Sequence, residues 1–422
     1  MRLGLLSWIL LLGLAYCKGS IGHVASDASH QDAALDVLDD AQPDTPDNDA
    51  SEECTGCIGT LSDVVLSSTV PTGNQIHAAA DDDGTVIAWT EADHIRLSLA
   101  DAAGQLQSTV ITVPGKKAWA VAAGDGGYAV LVTSRHSPEY PSVAYDDILK
   151  FFSLGPTGNI KLQITVAGQG DPAVEGNEWF PYEPYTAGRL IWNSTRWVAY
   201  FTVLLQVENN GGVHQTDRLY YIQTNGSLSQ TPWDGGCSHS MDLRLAYNGV
   251  QIGSSCLSDC LPEKGTLFHH WTNLYPDPSG NCAGTINSRL GGLVPTPGGY
   301  WQSFASSHNR DSMDIGLARI HTPDATPTHN TKDAVIWLSD DSALDQYPKL
   351  VRYGTDSLLA AWKGPSKTEL RLLDQDGAVL QSLAVDTPLD NFNDLIAYPD
   401  GSAGWVYANA TGIHIVRIAS PD

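Results

Sequence analysis

Basic residues are scarce in this sequence. Its 422 residues include 23 Lys and Arg against 48 Asp and Glu, which gives a formal net charge of -25. Nucleic acid and anionic membrane surfaces repel such a chain, so neither is expected as a direct partner. Methionine is also rare, at 3 residues, whereas Gly is abundant, at 40 residues. Together with many Thr, Ser, Trp and Tyr, this composition favours β structure.

The sequence signatures of common catalytic sites are also missing. The chain has no Gly-x-Ser-x-Gly, no phosphate-binding loop, no dinucleotide fingerprint, no His-Glu-x-x-His and no paired Cys-x-x-Cys. We therefore assign no catalytic residue, no metal ligand and no cofactor. Two carboxylates for glycoside hydrolysis can still meet in space, and solvated surface carboxylates are the simpler interpretation. The candidates for such a pair are Glu175, Glu178 and Glu183 with Asp217 or Asp242.

The N-terminus has the features of an export signal. Arg2 precedes an apolar stretch that is too short for a stable membrane span. The run Leu14-Ala15-Tyr16-Cys17 resembles the lipobox of bacterial lipoproteins, although a small residue is usual where Tyr16 stands. The resemblance implies that residues 1–16 are a signal peptide and that Cys17 is the lipid-modified first residue of the mature protein. Ordinary cleavage and release is the alternative.

Residues 17–57 are predicted to be a tether. The stretch 27–53 holds ten acidic residues, no Lys or Arg, and few bulky apolar residues. Such a segment cannot bury enough apolar surface to offset its ordering entropy, so we expect a disordered acidic linker. Because Lys18 and not Asp follows Cys17, the lipoprotein resemblance implies anchoring in the outer membrane.

The rest of the chain repeats one unit. Residues 76–113 contain four short apolar runs separated by turn residues, and the arrangement returns at 349–385, with Trp89 and Trp362 in corresponding positions. Turn signals mark seven units in total, and several of them are Asp-Gly or Asn-Gly pairs, which tolerate the positive φ of tight hairpins. The units start near residues 76, 119, 188, 242, 292, 349 and 394.

The last unit supplies only three strands. Residues 61–68, which precede the first unit, can supply the fourth strand, and this pairing would join the two ends of the domain and remove an exposed edge. The region 58–422 therefore resembles the seven-bladed β-propellers of exported bacterial proteins, in architecture and not in any named family. The predicted fold is an all-β, seven-bladed propeller closed by an N-terminal strand. A pair of β-sandwiches is the competing fold, and six or eight blades are alternatives.

Long connections are predicted on one face of the propeller only. In a propeller, loops between second and third strands share a face with the connections between blades. In units 2 to 5 both kinds of segment are long, and they span 134–147, 167–185, 206–217, 233–240, 256–265 and 306–314. Their aromatic and polar side chains suit a sugar or peptide platform, and packing of the loops onto the scaffold is the alternative role. The candidate ligand-binding residues are Trp179, Tyr182, Tyr185, His214, Asp217, His239, Asp242, Arg244 and His308.

The run 237–244 is the densest polar segment on a predicted inner strand. Alternation places Asp242 and Arg244 on one face of this strand and His239 on the other. Inner strands line the axis of a propeller, so the Asp242/Arg244 pair, His239 or His77 is expected to face the centre. Each His alone is more simply explained as structural.

Besides Cys17, the chain has six cysteines, and an even number in an exported chain predicts disulfides. Two of them form a possible local pair at the end of the tether, and the other four fall within 237–282, where two bridges would staple the insertion of unit 4. Zinc binding through Cys256, Cys260 and neighbouring residues is the alternative. The six residues are Cys54, Cys57, Cys237, Cys256, Cys260 and Cys282.

Together these observations predict a lipid-anchored, non-catalytic binding or interaction protein at the outer membrane, either periplasmic or on the cell surface. Its expected ligand is a glycan, a peptide or an envelope protein, bound by the long loops of units 2 to 5. The protein is expected to be monomeric and to contact the membrane only through the lipid anchor. The alternatives are a hydrolase or lyase acting on polysaccharide, and a structural subunit of an envelope assembly.

Overall fold

The computed structural model describes residues 57–67, 75–82, 84–92, 94–101, 106, 110–135, 147–168, 179–181, 188–207, 212–230, 237–260, 263–269, 271–324, 326–390 and 393–421. Within these residues the protein is all-β: thirty strands form seven antiparallel sheets, and the helical structure amounts to one short 3-10 helix at Pro327–His329. None of these residues forms a helix long and apolar enough to cross a membrane.

Each sheet is one blade of a propeller, and strand β1 (Leu61–Ser67) precedes the first blade. Blade 1 contains β2 (Ile76–Asp81), β3 (Gly84–Glu91), β4 (His94–Ala100) and β5 (Ile111–Pro114). Blade 2 contains β6 (Lys117–Gly124), β7 (Gly127–Arg135), β8 (Asp147–Leu154) and β9 (Ile160–Ala167). Blade 3 contains β10 (Trp179–Pro181), β11 (Gly188–Trp192), β12 (Trp197–Val207), β13 (Gly212–Ile222) and β14 (Leu228–Gln230).

The remaining four blades follow in chain order. Blade 4 contains β15 (Ser240–Tyr247), β16 (Ile252–Ser258), β17 (Gly265–Phe268) and β18 (Thr272–Pro276). Blade 5 contains β19 (Ser288–Thr296), β20 (Gly299–Ser306), β21 (Asp314–His321), β22 (Thr331–Lys332) and β23 (Ile336–Trp337). Blade 6 contains β24 (Gln346–Tyr353), β25 (Ser357–Lys363), β26 (Thr368–Leu373) and β27 (Val379–Val385). Blade 7 contains β28 (Ile396–Ala397), β29 (Ala403–Asn409), β30 (Gly412–Ile418) and β1.

The blades form a closed ring. The inner strands β2, β6, β11, β15, β19, β24 and β28 each contact the next in this order, and β28 contacts β2. Strand β1 pairs with β30 from Leu61↔Ile418 onward, so the N-terminal strand completes the last blade, as the sequence predicts. This pairing covers the edge of β30 and joins the two ends of the domain.

A network of side chains holds the closing strand in place. The Tyr407 hydroxyl donates to Asp63 Oδ2 at 2.6 Å, and His414 Nδ1 lies 2.9 Å from Asp63 Oδ1. The Tyr407 and His414 rings are stacked, with centroids 4.5 Å apart. Asp63 on β1 is therefore tied to both β29 and β30.

Buried tryptophans fill the space between the blades. Second strands carry a buried Trp in five of the seven blades, and the indole N–H groups of two of these reach backbone carbonyls of a neighbouring segment. Trp301 of blade 5 donates to the Gln375 carbonyl of blade 6 at 3.1 Å, and Trp405 of blade 7 donates to the Pro388 carbonyl at 2.7 Å. Burial of one such ring contributes about 4–6 kcal/mol of gross hydrophobic stabilisation. The five residues are Trp89, Trp197, Trp301, Trp362 and Trp405.

Two local predictions from the sequence are wrong. Residues 206–217 were expected to be a loop, but β12 continues to Val207 and β13 begins at Gly212, so this segment is mostly a long antiparallel hairpin. The short strand β10 pairs with the extended part of β12, at Trp179↔Leu205. In blade 4 the residues Pro278-Ser279-Gly280 have the composition of a turn and predict the second hairpin turn there, whereas it lies between Phe268 and Thr272.

Candidate functional site

The direction of the inner strands defines two faces of the propeller. Each inner strand begins beside the connections between blades and the loops between second and third strands, and it ends at the first hairpin turn. We call the first end the long-loop face and the other the tight-turn face. The connections between β7 and β8, β9 and β11, β16 and β17, and β20 and β21 all belong to the long-loop face. They come from blades 2 to 5.

Five charged side chains meet at the axis near the long-loop face, and we call them the axial cluster. All lie early in an inner strand or just before one. Blades 3 and 7 are not neighbours in the ring, so contacts between their inner strands have to cross the axis. The members are Arg189 of blade 3, Asp242 and Arg244 of blade 4, Lys349 of blade 6 and Asp394 of blade 7.

Arg244 joins two carboxylates. Its Nη1 lies 2.6 Å from Asp242 Oδ1, and its Nε lies 2.7 Å from Asp394 Oδ1. The remaining N–H groups donate to backbone carbonyls, at 2.6 Å to Leu243 and 3.1 Å to Leu290 of blade 5. Only 2% of the Arg244 side chain is exposed, so this guanidinium is a fixed structural centre of the cluster.

Arg189 approaches the same two carboxylates from blade 3. Its Nη2 lies 3.4 Å from Asp242 Oδ1, and its Nε lies 3.3 Å from Asp394 Oδ2. The two aspartates keep 31% and 33% of their side-chain surface exposed, whereas Arg189 keeps 15%. The solvent-facing part of the cluster is therefore mainly carboxylate, with two guanidinium groups behind it.

Burial and mutual charge set the protonation states in the cluster. Burial alone would raise the pKa of Asp394, but Arg244 and Arg189 outweigh it and hold the pKa below its ordinary value. Burial lowers the pKa of Lys349 to about 8, although Asp394 opposes the decrease. Asp394 is therefore ionised at neutral pH, and Lys349 is close to titration just above it.

His77 of blade 1 lies beside the cluster. Its Nε2 is 3.1 Å from the carbonyl oxygen of Ala118 in blade 2. Burial lowers the pKa of His77 to about 4, and the nearby charge of Arg189 adds to the decrease. The imidazole is therefore neutral at physiological pH and adds a polar, uncharged group to the axial end of the face.

The structure brings together only part of what the sequence singled out. Asp242 and Arg244 share a face of β15 and are in contact, as alternation predicts. A β-bulge between Ser240 and Asp242 breaks the alternation before them, and His239 lies in a turn ahead of the strand with φ of 55°. Its Nδ1 lies 3.5 Å from Asp259 Oδ1, away from the axial cluster.

Asp217 is fully buried and holds internal structure together. Its Oδ2 accepts hydrogen bonds from the Tyr200 hydroxyl at 2.7 Å, the Ser240 hydroxyl at 2.5 Å and the Cys237 N–H at 3.1 Å. These contacts fix the segment that leads into β15. His308, also a candidate, lies near an aromatic group on blades 4 and 5, where its carbonyl accepts from the Tyr275 hydroxyl at 2.7 Å.

The aromatic candidates are placed only in part. Trp179 lies in β10 and His214 in β13, and for both the structure describes the backbone alone. Tyr182 and Tyr185 lie outside the described residues. The proposed aromatic platform therefore stays a prediction, attached to the extended hairpin of blade 3 at the long-loop face.

Arg189, Lys349 and Asp394 were missed by the sequence analysis. Arg189 is the single cation of an otherwise apolar or aromatic inner strand, in the run GRLIW, and this lone charge near the start of a buried strand is the signal that marks it. Lys349 shares the run QYPKLVRY with Arg352, so its signal is weaker. Asp394 carries no such signal, because it precedes a strand of two residues.

Disulfides staple the excursions of blade 4. Cys237 is bonded to Cys256, and Cys260 to Cys282. Both bridges lie within 237–282, as predicted: the first joins the segment before β15 to β16 itself, and the second joins the segments after β16 and after β18. Cys57 is also disulfide-bonded, and its predicted partner Cys54 lies outside the described residues.

Two groups of side chains have donor atoms close enough to suggest a metal. In the first, Asp217 lies near Cys237 and Cys256, but the disulfide already uses both sulfur atoms. In the second, Asp314, Asp341 and Asp345 of blade 5 and its connection to blade 6 come together. Arg310 already forms an ion pair with Asp314 in that second group.

No family model matches this sequence, and no curated protein matches it. Among solved structures, the chain is similar to the WD40 domain of Toxoplasma gondii coronin, at 12% identity and TM-score 0.45, over 87% of this chain and 88% of that one. It is similar to the Cps50 (Swd1) β-propeller domain of Myceliophteria thermophila, at 9% identity and TM-score 0.42, over 85% and 99%. A prolyl endopeptidase matches at 13% identity and TM-score 0.44 over 85% of this chain, which spans about half (46%) of that protein.

Proposed function

We propose that the protein is an exported, lipid-anchored binding protein that catalyses no reaction and recognises a glycan or peptide on its long-loop face. Cys17 carries the lipid, and the anchor is the protein's contact with the outer membrane. The propeller acts as a monomer, either in the periplasm or on the cell surface. The closed seven-bladed ring supports the role of a rigid scaffold for such binding.

The axial cluster carries the proposal. Asp242 and Asp394 each present about one-third of their side-chain surface to solvent, while Arg244 and Arg189 hold them in position from behind. Preorganised carboxylates accept hydrogen bonds from sugar hydroxyls or from a peptide amine with little ordering cost. The extended β12–β13 hairpin of blade 3 stands at the same face and supplies a wall for the ligand.

The same geometry argues against Asp394 as the acid of a glycosidase. A glycosidase needs one carboxylic acid that stays protonated near neutral pH beside a second, ionised carboxylate. Arg244 and Arg189 lower the pKa of Asp394, so this group cannot act as the acid. Binding of an intact ligand is therefore the function that the cluster supports best.

Glycan and peptide arrays probed with the full chain in detergent test the proposal. The Asp242→Asn variant should lose the signals that the wild type gives with neutral glycans and with peptides, because one accepting carboxylate becomes an amide. Asp400→Asn is the matched control, since Asp400 also pairs with an Arg but lies in the first hairpin turn of blade 7 on the tight-turn face. Equal array signals from Asp242→Asn and the wild type contradict the proposal.

The aromatic platform has its own test. Trp179→Ala and Tyr182→Ala should each weaken binding of the array ligand, because stacking surface for the ligand is lost, and a melting temperature equal to that of the wild type shows that each variant is folded. Binding that survives both changes removes the platform from the proposed site. A stoichiometric protein partner in a pull-down, with no array ligand, would instead favour a structural subunit of an envelope assembly.

Lipid attachment is tested in bacteria that express the full chain. Incorporation of radiolabelled palmitate and partition into the detergent phase should both disappear in Cys17→Ala, because the thiol is the acceptor for the lipid. Ordinary signal-peptide cleavage predicts that the wild type and the variant behave alike. That result would remove the anchor and leave the binding proposal to its own experiment.

A further inference from the structure

A pocket of about 410 Å³ opens on the tight-turn face, at the opposite end of the blades from the axial cluster. It lies between blades 3 and 4, and its walls include the first hairpin turns of both. We call it the blade 3–4 pocket. Its volume falls within the range of about 300–1,000 Å³ that is typical of small-molecule sites.

The lining of this pocket is unusual in charge. The chain has 48 Asp and Glu, yet none of the described residues that line the pocket is acidic. Arg196 supplies the one guanidinium among them, and His269 is a second basic group. A pocket free of carboxylates in such an acidic protein favours an anionic ligand, because the local charge is opposite to that of the surrounding chain.

Arg196 is held in position but forms no ion pair within the described residues. Its guanidinium carbon lies 3.6 Å from the centroid of the Tyr221 ring, which orients the group by a cation–π contact. Its Nε is buried and has no hydrogen-bond partner among those residues. The guanidinium is therefore fixed by the Tyr221 ring without being neutralised by a carboxylate of the described residues.

Comparison with the chain's other Arg–aromatic contacts sharpens this point. Five such contacts occur among the described residues, and in the other four the Arg also pairs with a carboxylate of the chain. Those four are Arg310 over Trp337 with Asp314 and Asp340, Arg319 over Trp301 with Asp376, Arg371 over Trp362 with Glu369, and Arg417 over Tyr398 with Asp400. Of these five arginines in the described residues, Arg196 alone has no carboxylate partner, and Arg196 alone lines the blade 3–4 pocket.

The other lining groups define the rest of the ligand. Gln251 and Asn330 offer neutral amides, and Tyr247 offers an aromatic ring. Neutral amides pair with hydroxyl groups, and aromatic faces stack on the C–H surface of a sugar. A guanidinium binds a carboxylate through two parallel hydrogen bonds. We propose that the blade 3–4 pocket binds a carboxylate-bearing sugar, of the size of a mono- or disaccharide, and that Arg196 holds the carboxylate.

Isothermal titration of the full chain tests the proposal with defined probes. D-Glucuronate and D-galacturonate are the acidic sugars, D-glucose and D-galactose their neutral counterparts, and acetate and inorganic phosphate the simple anions. A uronate should bind at least about tenfold more tightly than its neutral counterpart and than acetate. Arg196→Gln should weaken uronate binding by about tenfold or more, since both hydrogen bonds to the carboxylate are lost.

Arg417→Gln is the matched control, because Arg417 also stacks on a tyrosine but already has Asp400 as its partner. It should leave uronate affinity unchanged. Asp242→Asn should leave it unchanged as well, which separates this pocket from the axial cluster and from the proposed function. Equal melting temperatures of Arg196→Gln and the wild type show that the variant is folded. If it is not folded, Arg196→Lys replaces it, with a smaller expected loss.

Three results overturn the proposal. The first is that no uronate binds at concentrations up to about 20 mM. The second is that Arg196→Gln, or its Lys substitute, binds uronate as tightly as the wild type. The third is tighter binding of inorganic phosphate than of either uronate, which would assign the pocket to a different class of anion.

Discussion

The substitution Asp394→Asn should destabilise the propeller by about 2–4 kcal/mol. Asp394 pairs with Arg244 at 2.7 Å and with Arg189 at 3.3 Å, and Lys349 also lies near it. At an effective dielectric constant of about 20, Coulomb's law gives gross attractions of about 6 and about 5 kcal/mol for these two pairs. Desolvation of the charges offsets much of this attraction.

Loss of one partner from a buried ion pair typically costs about 3–5 kcal/mol, because the other charge is left uncompensated. Asp394 keeps 33% of its side-chain surface exposed, so we reduce that expectation to about 2–4 kcal/mol. Asn has nearly the same shape as Asp, and packing therefore changes little. What changes is the charge balance: three cations would face Asp242 alone within the axial cluster.

The assay is urea-induced unfolding at pH 7, followed by circular dichroism, with the midpoint and slope compared between variants. Asp400→Asn is the control, since Asp400 lies 2.5 Å from Arg417 but keeps 59% of its side chain exposed. A surface pair of this kind contributes less than about 1 kcal/mol. Added salt should reduce the small effect of Asp400→Asn and leave the effect of Asp394→Asn nearly unchanged.

A second variant tests the cause. Lys349 is buried, with 1% of its surface exposed, and burial lowers its pKa to about 8. Lys349→Met in the Asp394→Asn background removes one of the uncompensated cations, so at least half of the lost stability should return. An effect of Asp394→Asn no larger than that of Asp400→Asn would refute the reasoning. A further loss in the double variant would refute it as well.

Three further predictions concern other parts of the ring. Burial lowers the pKa of His77 to about 4, so between pH 6.5 and pH 4 the unfolded chain binds a proton that the folded chain does not. The wild type should therefore lose up to about 3 kcal/mol of unfolding free energy over this window, relative to His77→Gln. Urea unfolding at pH 7 and pH 4.5 measures the loss. Asp63→Asn weakens the contacts of β1 with Tyr407, so amide hydrogen exchange in β1 should become faster while the other blades keep their protection from exchange. Unchanged exchange in β1 would contradict the role of Asp63 in closure. Replacing Cys260 and Cys282 by Ser opens a loop of 22 residues and should cost about 3 kcal/mol of stability, measured by urea unfolding against the disulfide-bonded wild type.

The blades could be predicted because their signals are local. Alternation of apolar residues over a few positions defines a strand, and a residue pair that tolerates positive φ defines a hairpin turn. Asp125 and Gly126 have φ of 55° and 59°, and they form the turn between β6 and β7. Predicted starts of the units therefore lie within a few residues of the observed inner strands. The closing strand β1 was found by the same logic, because the last unit lacked a strand.

The errors in the fold also have a physical cause. Strands β12 and β13 are each longer than a normal blade strand. The extended part of β12 also pairs with β10, which is remote in sequence from β13. In blade 4 the turn after β17 contains His269 with φ of 47°, a backbone conformation that the residue type does not predict. Tertiary pairing overrides local propensity at both places.

The axial cluster could be predicted only in part, because its contacts join residues far apart in the chain. Asp242 and Arg244 are two positions apart on one strand, so alternation alone brings them together. Arg189 meets Asp394 only after the ring has closed, and no local pattern encodes that meeting. The blade 3–4 pocket is harder to predict from the sequence than the axial cluster. What distinguishes Arg196 is that no carboxylate of the described residues pairs with it.

The two sites differ in what their cations already contact, and this difference decides their ligands. In the axial cluster, Arg244 and Arg189 are neutralised by Asp242 and Asp394, so what remains exposed is hydrogen-bond acceptor surface. Such a surface suits hydroxyl or amine donors and repels an anion. In the blade 3–4 pocket, Arg196 forms no ion pair with a described residue, so what remains is hydrogen-bond donor surface that suits a carboxylate. A uronate that bound through Arg196 should therefore gain nothing from the axial cluster, and affinity for it should not depend on Asp242.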